Sequence, residues 1–239
     1  MINKILGKFG LILLKKSFYT SHFRLRNQFL PLSQLFYKTL HDDFFFVQIG
    51  ANDGISFDPI YELVTKEKVK GIAIEPMPDI FKLLEKNYDK HPNVKLLNLA
   101  IHKDQTEMKM YRVDPKKTNY PDWTKGTPSF NKDHHKLGNI PEYDIIEESV
   151  KCISFDALIK EYSINRIDLL QIDTEGYDLE IIKMINFNQI SPRIISFEHG
   201  MRQGIINMNR FVECQTLLFE NDYNIIILDN DAIAFKNNI

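Results

Sequence analysis

The 239-residue chain is 44% hydrophobic and 26% charged, with two cysteines, one tryptophan and a formal net charge of −2. This composition suits a globular body with a sizeable core and excludes a low-complexity or disulfide-stapled chain. Cys152 and Cys214 sit among apolar neighbours with no CxxC or Cys/His ligand spacing, so both read as reduced core thiols, not zinc ligands.

The charge is unevenly spread along the chain. Residues 1–41 hold Lys4, Lys8, Lys15, Lys16, Arg24, Arg26 and Lys38 and no acid, which leaves −9 for the remainder. An acidic body speaks against nucleic-acid binding, while the basic arm suits a membrane surface or an anionic acceptor. The apolar run Leu11–Leu14 is too short for a signal-peptide core, and Lys15-Lys16 closes it without a small-residue cleavage site. No stretch approaches the ~20 apolar residues of a spanning helix, so a cytoplasmic protein is expected. Ile2, Ile5, Leu6 and Phe9 recur at helical spacing. That stripe docks on the protein's own core, pairs two copies as a homodimer, or lies peripherally on the inner membrane face.

From residue 44 short apolar runs alternate with helical patterns. FFFVQIG (44–50), KGIAIE (70–75), VKLLNLA (94–100), IDLLQID (167–173) and RIISFE (193–198) read as strands buried on both faces. Helices are predicted over 58–66 and 78–88, each with a proline in its first turn, and over 155–162, 178–185 and 209–221. The alternation predicts βαβ crossovers and a mainly parallel sheet. The chain closes differently, with NIIIL (224–228), a polar turn at Asp229–Asp231, and AIAFK (232–236), which reads as an antiparallel hairpin. The expected fold is therefore a Rossmann-like three-layer α/β sandwich with a seven-stranded, mostly parallel sheet, preceded by a helical arm over 1–41. Residues 113–149 carry four prolines, Trp123 and His134-His135 with little periodicity, and read as an irregular lid over the site in the domain 42–239.

The chemistry concentrates at predicted strand ends. After the first strand comes Gly50-Ala51-Asn52-Asp53-Gly54, a turn whose glycines let backbone approach a ligand. Glu75 ends the second strand about twenty residues on, where a carboxylate can accept both hydroxyls of a ribose. A dinucleotide fingerprint would read G-x-G-x-x-G. This turn offers G-x-x-x-G and no evident seat for a pyrophosphate, which favours S-adenosylmethionine over NAD.

Residues 44–198 resemble the FkbM-type methyltransferases, a branch of class I, through VQIGANDG, AIEPMPDIFKLLEKN, TPSFNKDH and FDALIKEYSINRIDLLQIDTEGYDLEII. The resemblance implies that Gly50, Asn52, Asp53 and Gly54 surround the methionine part and that Glu75, with Pro76, holds the ribose. Asn98, Ala100 and Ile101 would flank the adenine, and Ser129 would close the lid over the cofactor. Many members carry an acid where Gln48 stands, two residues before the first motif glycine. Gln48 can still orient the loop or the methionine amine, without the charge.

Methyl transfer requires alignment and removal of the acceptor's proton. His199, at the end of the fifth predicted strand, is the preferred general base, with Asp173, Glu175 and Glu198 as alternatives or substrate anchors. Asp173, Glu198 and His199 also compose a candidate site for a divalent ion such as Mg²⁺. The acceptor class implied by family usage is a hydroxyl of a saccharide, glycan or related small molecule. An acidic-proline-aromatic signature, expected for N-methylation, is absent at residues 173–176, where DTEG stands. N-methylation and a non-catalytic cofactor-binding module are the rival readings.

Overall fold

The computed structural model describes residues 23–237. A helix α1 (Phe23–Thr39) leads into strand β1 (Phe45–Ile49), followed by α2 (Tyr61–Lys66), β2 (Lys70–Ile74), α3 (Pro78–Asn87) and β3 (Val94–Leu97). After β4 (Ala100–Ile101), β5 (Glu107–Val113) and β6 (Ile145–Ile153) come α4 (Phe155–Glu161), β7 (Leu169–Ile172), α5 (Asp178–Met184) and β8 (Ile194–Glu198). The chain ends with α6 (Met208–Glu220), β9 (Tyr223–Ile227) and β10 (Asp231–Lys236).

Seven strands form one sheet in the order β3-β2-β1-β7-β8-β10-β9. Pairs from β3 through β8 are parallel, and β10 inserts antiparallel between β8 and β9, as the terminal hairpin predicts. Strand order reverses between β1 and β7, so the crevice for a ligand opens at their carboxyl ends.

Alternation along each strand sends side chains to two helical layers. Val47, Ile49, Leu170, Ile172, Ile195 and Phe197 pack against α4, α5 and α6. Phe46, Leu169, Ile194 and Ile233 face α1, α2 and Tyr88, with Leu32 and Phe36 of α1 fully buried. Local sequence sets the helix starts. Pro78 opens α3, Ser154 Oγ caps α4 by accepting the Ala157 N–H at 3.1 Å, and Asn207 caps α6 through the Arg210 N–H.

At the amino-terminal edge of the sheet Asp168 is fully buried and accepts from Arg166 Nε at 2.8 Å and from the Phe45 N–H at 2.9 Å. His41 Nε2 reaches the same carboxylate at 3.2 Å, so the α1–β1 link is tied to the foot of β7.

Two expectations need correction. The run 94–100 is not one strand but breaks at Asn98-Leu99, and β4 leaves the main sheet to pair with β6. Residues 113–149 are not irregular throughout, because β6 begins at Ile145 and pairs antiparallel with β5 from Glu107↔Lys151 to Val113↔Ile145. The segment expected to form a lid is thus the long connection of a hairpin, residues 114–144. The stripe Ile2, Ile5, Leu6 and Phe9 lies outside the described residues. Among the described residues no helix is long and apolar enough to cross a membrane.

Candidate active site

The glycine turn closes tightly on its neighbour strand. Gly50 has φ +83°, and a Cβ there would lie 1.7 Å from the Asp173 carbonyl oxygen. The Gly50 and Ala51 N–H groups both donate to the Ile74 carbonyl, at 3.0 and 2.9 Å. Gly54, φ +80°, passes over Leu84 and Tyr88, where a Cβ would be 2.7 Å from each. Asp53 turns inward on its own loop, accepting from the Ile55 and Ser56 N–H groups. Asp53 and Gly54 therefore shape the loop instead of lining the cavity, whereas Gly50, Ala51 and Asn52 form its wall.

Glu75 is 3% exposed at the tip of β2. One carboxylate oxygen accepts the Asn52 N–H and the other the Met77 N–H, both at 2.9 Å. Burial lifts its pKa to about 7 against the pull of those two N–H groups and of Arg112. Arg112 is itself buried in the cavity wall, held by Asp79 at 2.9 Å and Glu148 at 2.6 Å. Asn98 does not reach the cavity; its amide donates to the Glu75 and Pro76 carbonyls at 2.8 and 2.9 Å. Ala100, Ile101 and Pro76 do line it.

Gln48 is buried beneath the turn and donates to Asp58 Oδ2 at 2.7 Å, while its own Oε1 has no partner. Asp58 also accepts the Ile60 and Tyr61 N–H groups, and burial raises its pKa to about 6. A carboxylate absent from position 48 is thus present ten residues later, in contact with the glutamine.

The lid is stitched to the body at several points. Ser129 exchanges backbone hydrogen bonds with Tyr111 of β5, and its hydroxyl donates to the Glu175 carbonyl at 2.8 Å. Ser129 is 2% exposed and acts as a clasp outside the cavity. Phe130 packs edge-on against Tyr177 and His102, with ring centroids 5.2 and 5.5 Å away, and pins the lid. Half-exposed Trp123 stands at the cavity's rim, and His134 Nε2 meets Glu175 Oε2 at 3.2 Å inside it.

Carboxylates gather where β7 and β8 end and β10 begins. Asp173 opens on the cavity without a hydrogen-bond partner among the described residues. Protein crowding around it and the like charges of Glu175, Asp178, Asp231 and Asp58 hold its pKa well above the usual carboxylate range. Burial and the like charges of Glu175, Asp173, Asp178 and Asp231 push Glu198 to about 10, and its Oε2 is unpartnered. Asp178 instead caps the turn, accepting from Thr174 and from the Glu198 N–H.

His199 requires a correction. The residue is 2% exposed and absent from the cavity wall. Its Nδ1 accepts the Met201 N–H at 3.2 Å, which leaves Nε2 to donate to the Leu228 carbonyl at 3.3 Å. Burial lowers its pKa, so it is a neutral brace between two loops, not a base facing the crevice. With His199 turned away, the set Asp173, Glu198 and His199 does not converge. Among the described residues no three His, Cys, Asp or Glu side chains are grouped to hold a metal ion.

The cavity between turn, sheet edge and lid measures about 540 Å³, within the roughly 300–1,000 Å³ typical of small-molecule sites. A second chamber of about 260 Å³ adjoins it across Asp173, Glu175 and Glu198 and runs under β10 to Asp231. Sequence reasoning missed Asp58, Arg112, Gln171 and Asp231 as site groups. Only Asp231 carried a signal, since the antiparallel hairpin brings its first residue beside the end of β8.

The sequence profile described as the Methyltransferase FkbM domain matches residues 48–225. No curated protein matches the chain. Similar solved structures include the precorrin-6y C5,15-methyltransferase of Geobacter metallireducens GS-15, at 13% identity and TM-score 0.43 over 94% of each chain. The SAH-bound methyltransferase PaMTH1 of Podospora anserina gives 12% identity and TM-score 0.46 over 93% of this chain and 81% of that one. The METTL16 MTase domain gives 12% identity and TM-score 0.47 over 89% and 68%.

Proposed function

This chain belongs to the FkbM-domain family of S-adenosylmethionine-dependent methyltransferases, and on that premise we propose that it methylates a hydroxyl oxygen of a saccharide-like acceptor. The observation that carries the proposal is Asp173, a carboxylate facing the cavity beside the glycine turn, with no hydrogen-bond partner among the described residues. A hydroxyl needs such a base, and a raised pKa makes the ionised carboxylate a stronger proton acceptor. The residues fit the cofactor. Glu75 keeps free lone pairs for ribose hydroxyls, and the orphaned Gln48 Oε1 with Asp58 suits an ammonium group.

When bound, S-adenosylmethionine supplies an electrophilic methyl group on a sulfonium. Gly50–Asn52, Glu75 and the wall at Ala100–Ile101 hold and orient the donor, and the Ser129 clasp keeps water out beneath the lid. Asp173 stands to accept the proton of the acceptor hydroxyl, and the methyl group would come from the bound donor, which would leave as its neutral thioether. His134 and Glu175 border the same space and bind the acceptor's other hydroxyls. The DTEG sequence after β7 supports oxygen over nitrogen as the nucleophile.

The reading extends to a cytoplasmic body, with the basic arm serving a peripheral membrane contact, an anionic acceptor or a dimer. Sedimentation with anionic vesicles, with and without residues 1–22, separates the first from the others. The central test is calorimetric titration with S-adenosylhomocysteine, followed by transfer of labelled methyl to a panel of sugars. Product analysis showing methyl only on nitrogen would reject O-methylation, and absence of S-adenosylhomocysteine binding would reject the cofactor assignment.

A further inference from the structure

We propose that the acceptor carries a protonated amine, as an amino sugar does, and that this ammonium seats in the second chamber between Glu198 and Asp231 while a hydroxyl of the same molecule faces Asp173. The inference rests on the methyl-transfer reading and specifies its substrate class.

Strand geometry builds the chamber. Residues two apart share a sheet face, so Gln171 and Asp173, Ser196 and Glu198, and Asp231 and Ile233 all point toward the α1 side. Glu198 and Asp231 are register partners across β8 and β10, directly opposite one another. Like charges placed so are unfavourable, and a proton on one of them or a cation between them relieves the repulsion. Among the described residues no lysine or arginine lines the chamber.

A second observation comes from the neutral polar groups. Gln171 is 4% exposed and lines the chamber, and its Oε1 has no partner. Asn230 Oδ1 and Glu198 Oε2 are buried and unpartnered in the same wall. The two amide oxygens are acceptors, so the missing occupant is a donor. An ammonium brings three N–H donors and the compensating charge together. The size fits one sugar ring or a short amine, since about 260 Å³ falls below the usual range for larger ligands. The cofactor's own cationic groups do not account for the chamber, because Gly50, Ala51 and Glu75 do not line it.

The titration behaviour agrees with this geometry. Asp173, Glu175 and Glu198 face the space from β7 and β8, Asp231 faces it from β10, and Asp178 lies behind them. Burial and these mutual repulsions hold Glu198 protonated at neutral pH. An entering ammonium would ionise it and release a proton.

The experiment titrates the full chain, saturated with S-adenosylhomocysteine, with 2-amino-2-deoxyglucose, its N-acetyl derivative and glucose, at pH 7 in two buffers of different ionisation enthalpy. The amine should bind at least about tenfold tighter than either neutral sugar, as a charge-assisted hydrogen bond requires, with proton release visible as a buffer-dependent heat. Asp231→Asn should erase the preference while leaving S-adenosylhomocysteine affinity intact, which also certifies that the variant is folded. Should Asp231→Asn fail to fold, Gln171→Leu provides the second variant, with the same loss expected. Equal affinity for the three sugars, or no amine binding by protein that holds S-adenosylhomocysteine normally, overturns the proposal. Failure to bind S-adenosylhomocysteine at all would remove the methyl-transfer reading and this inference with it.

Discussion

Replacing Glu75 by glutamine tests whether that carboxylate binds ligand or only braces the loop. Its oxygens accept the Asn52 and Met77 N–H groups at 2.9 Å each. Glutamine keeps one acceptor and turns an NH₂ toward the other N–H. One buried donor then loses its partner, which costs about 1–3 kcal/mol of stability. If Glu75 also accepts ribose hydroxyls, one charged hydrogen bond is lost, worth about 1.5–3 kcal/mol, or roughly ten- to over a hundredfold in Kd. The pH dependence adds a separate signature. With a pKa of about 7, wild-type Glu75 ionises across roughly pH 6–8, so affinity for S-adenosylhomocysteine should rise over that window and the variant should lack the rise. Calorimetry and thermal melts on the same samples supply both numbers. A lower Tm with Kd changed less than about threefold and the pH dependence retained would refute the ribose role and leave Glu75 as a brace alone.

Four further outcomes follow from the geometry. Gly50→Ala meets both a left-handed backbone, a strain of about 1–3 kcal/mol, and the Asp173 carbonyl at 1.7 Å; S-adenosylhomocysteine binding should be lost, and a wild-type titration would contradict the tight turn. Asp173→Asn should lower kcat by about 10²–10⁴, and in the wild type the rate should climb above the ordinary carboxylate range as Asp173 ionises; an undiminished kcat excludes it as the base. Ligand-free protein should lose stability from about pH 6.5 to 8. There the folded state holds a proton on Glu198, with a pKa near 10, and up to about pH 7 one on Glu75, that the unfolded chain has released. His199, whose pKa is lowered, opposes this trend only below its usual value of 6.5. Glu198→Gln should flatten the melting-temperature profile, and an unchanged slope would show that Glu198 is not held protonated. Ser129→Ala removes the hydroxyl bond to the Glu175 carbonyl and should speed amide exchange across residues 114–144 while strands β1 and β7 stay protected; unaltered exchange would mean that the clasp is not what holds the lid.

Much of this molecule was legible in its residues, and the parts that were not share a physical cause. The parallel strands announce themselves because they are buried on both faces, as FFVQI and LLQI show. Strands β5 and β6 escaped notice because EMKMYRV and IIEESVKCI mix charges with apolar residues and pair outside the main sheet. Glu75 and the glycine turn follow from strand-to-helix punctuation, which is local. His199 was misjudged because the direction of its ring depends on partners at Met201 and Leu228, and the latter is 29 residues away. Asn98 likewise sits at the expected strand end but turns back to the Glu75 and Pro76 carbonyls. Asp58 reads in sequence as the start of a helix, and only the fold reveals that it also answers Gln48.

The lid begins and ends at Val113 and Ile145, which face one another across the β5–β6 ladder. A loop anchored on paired feet can change length at small entropic cost, about 0.6 kcal/mol for each doubling, without moving the strands that hold it. The donor-facing wall, by contrast, is drawn from the glycine turn and strand tips, which tolerate almost no change of shape. On the proposed reading, what the segment 114–144 adds to the acceptor's surroundings, His134 among it, can therefore vary while Asp173, Glu198 and Asp231 stay fixed on the strand ends.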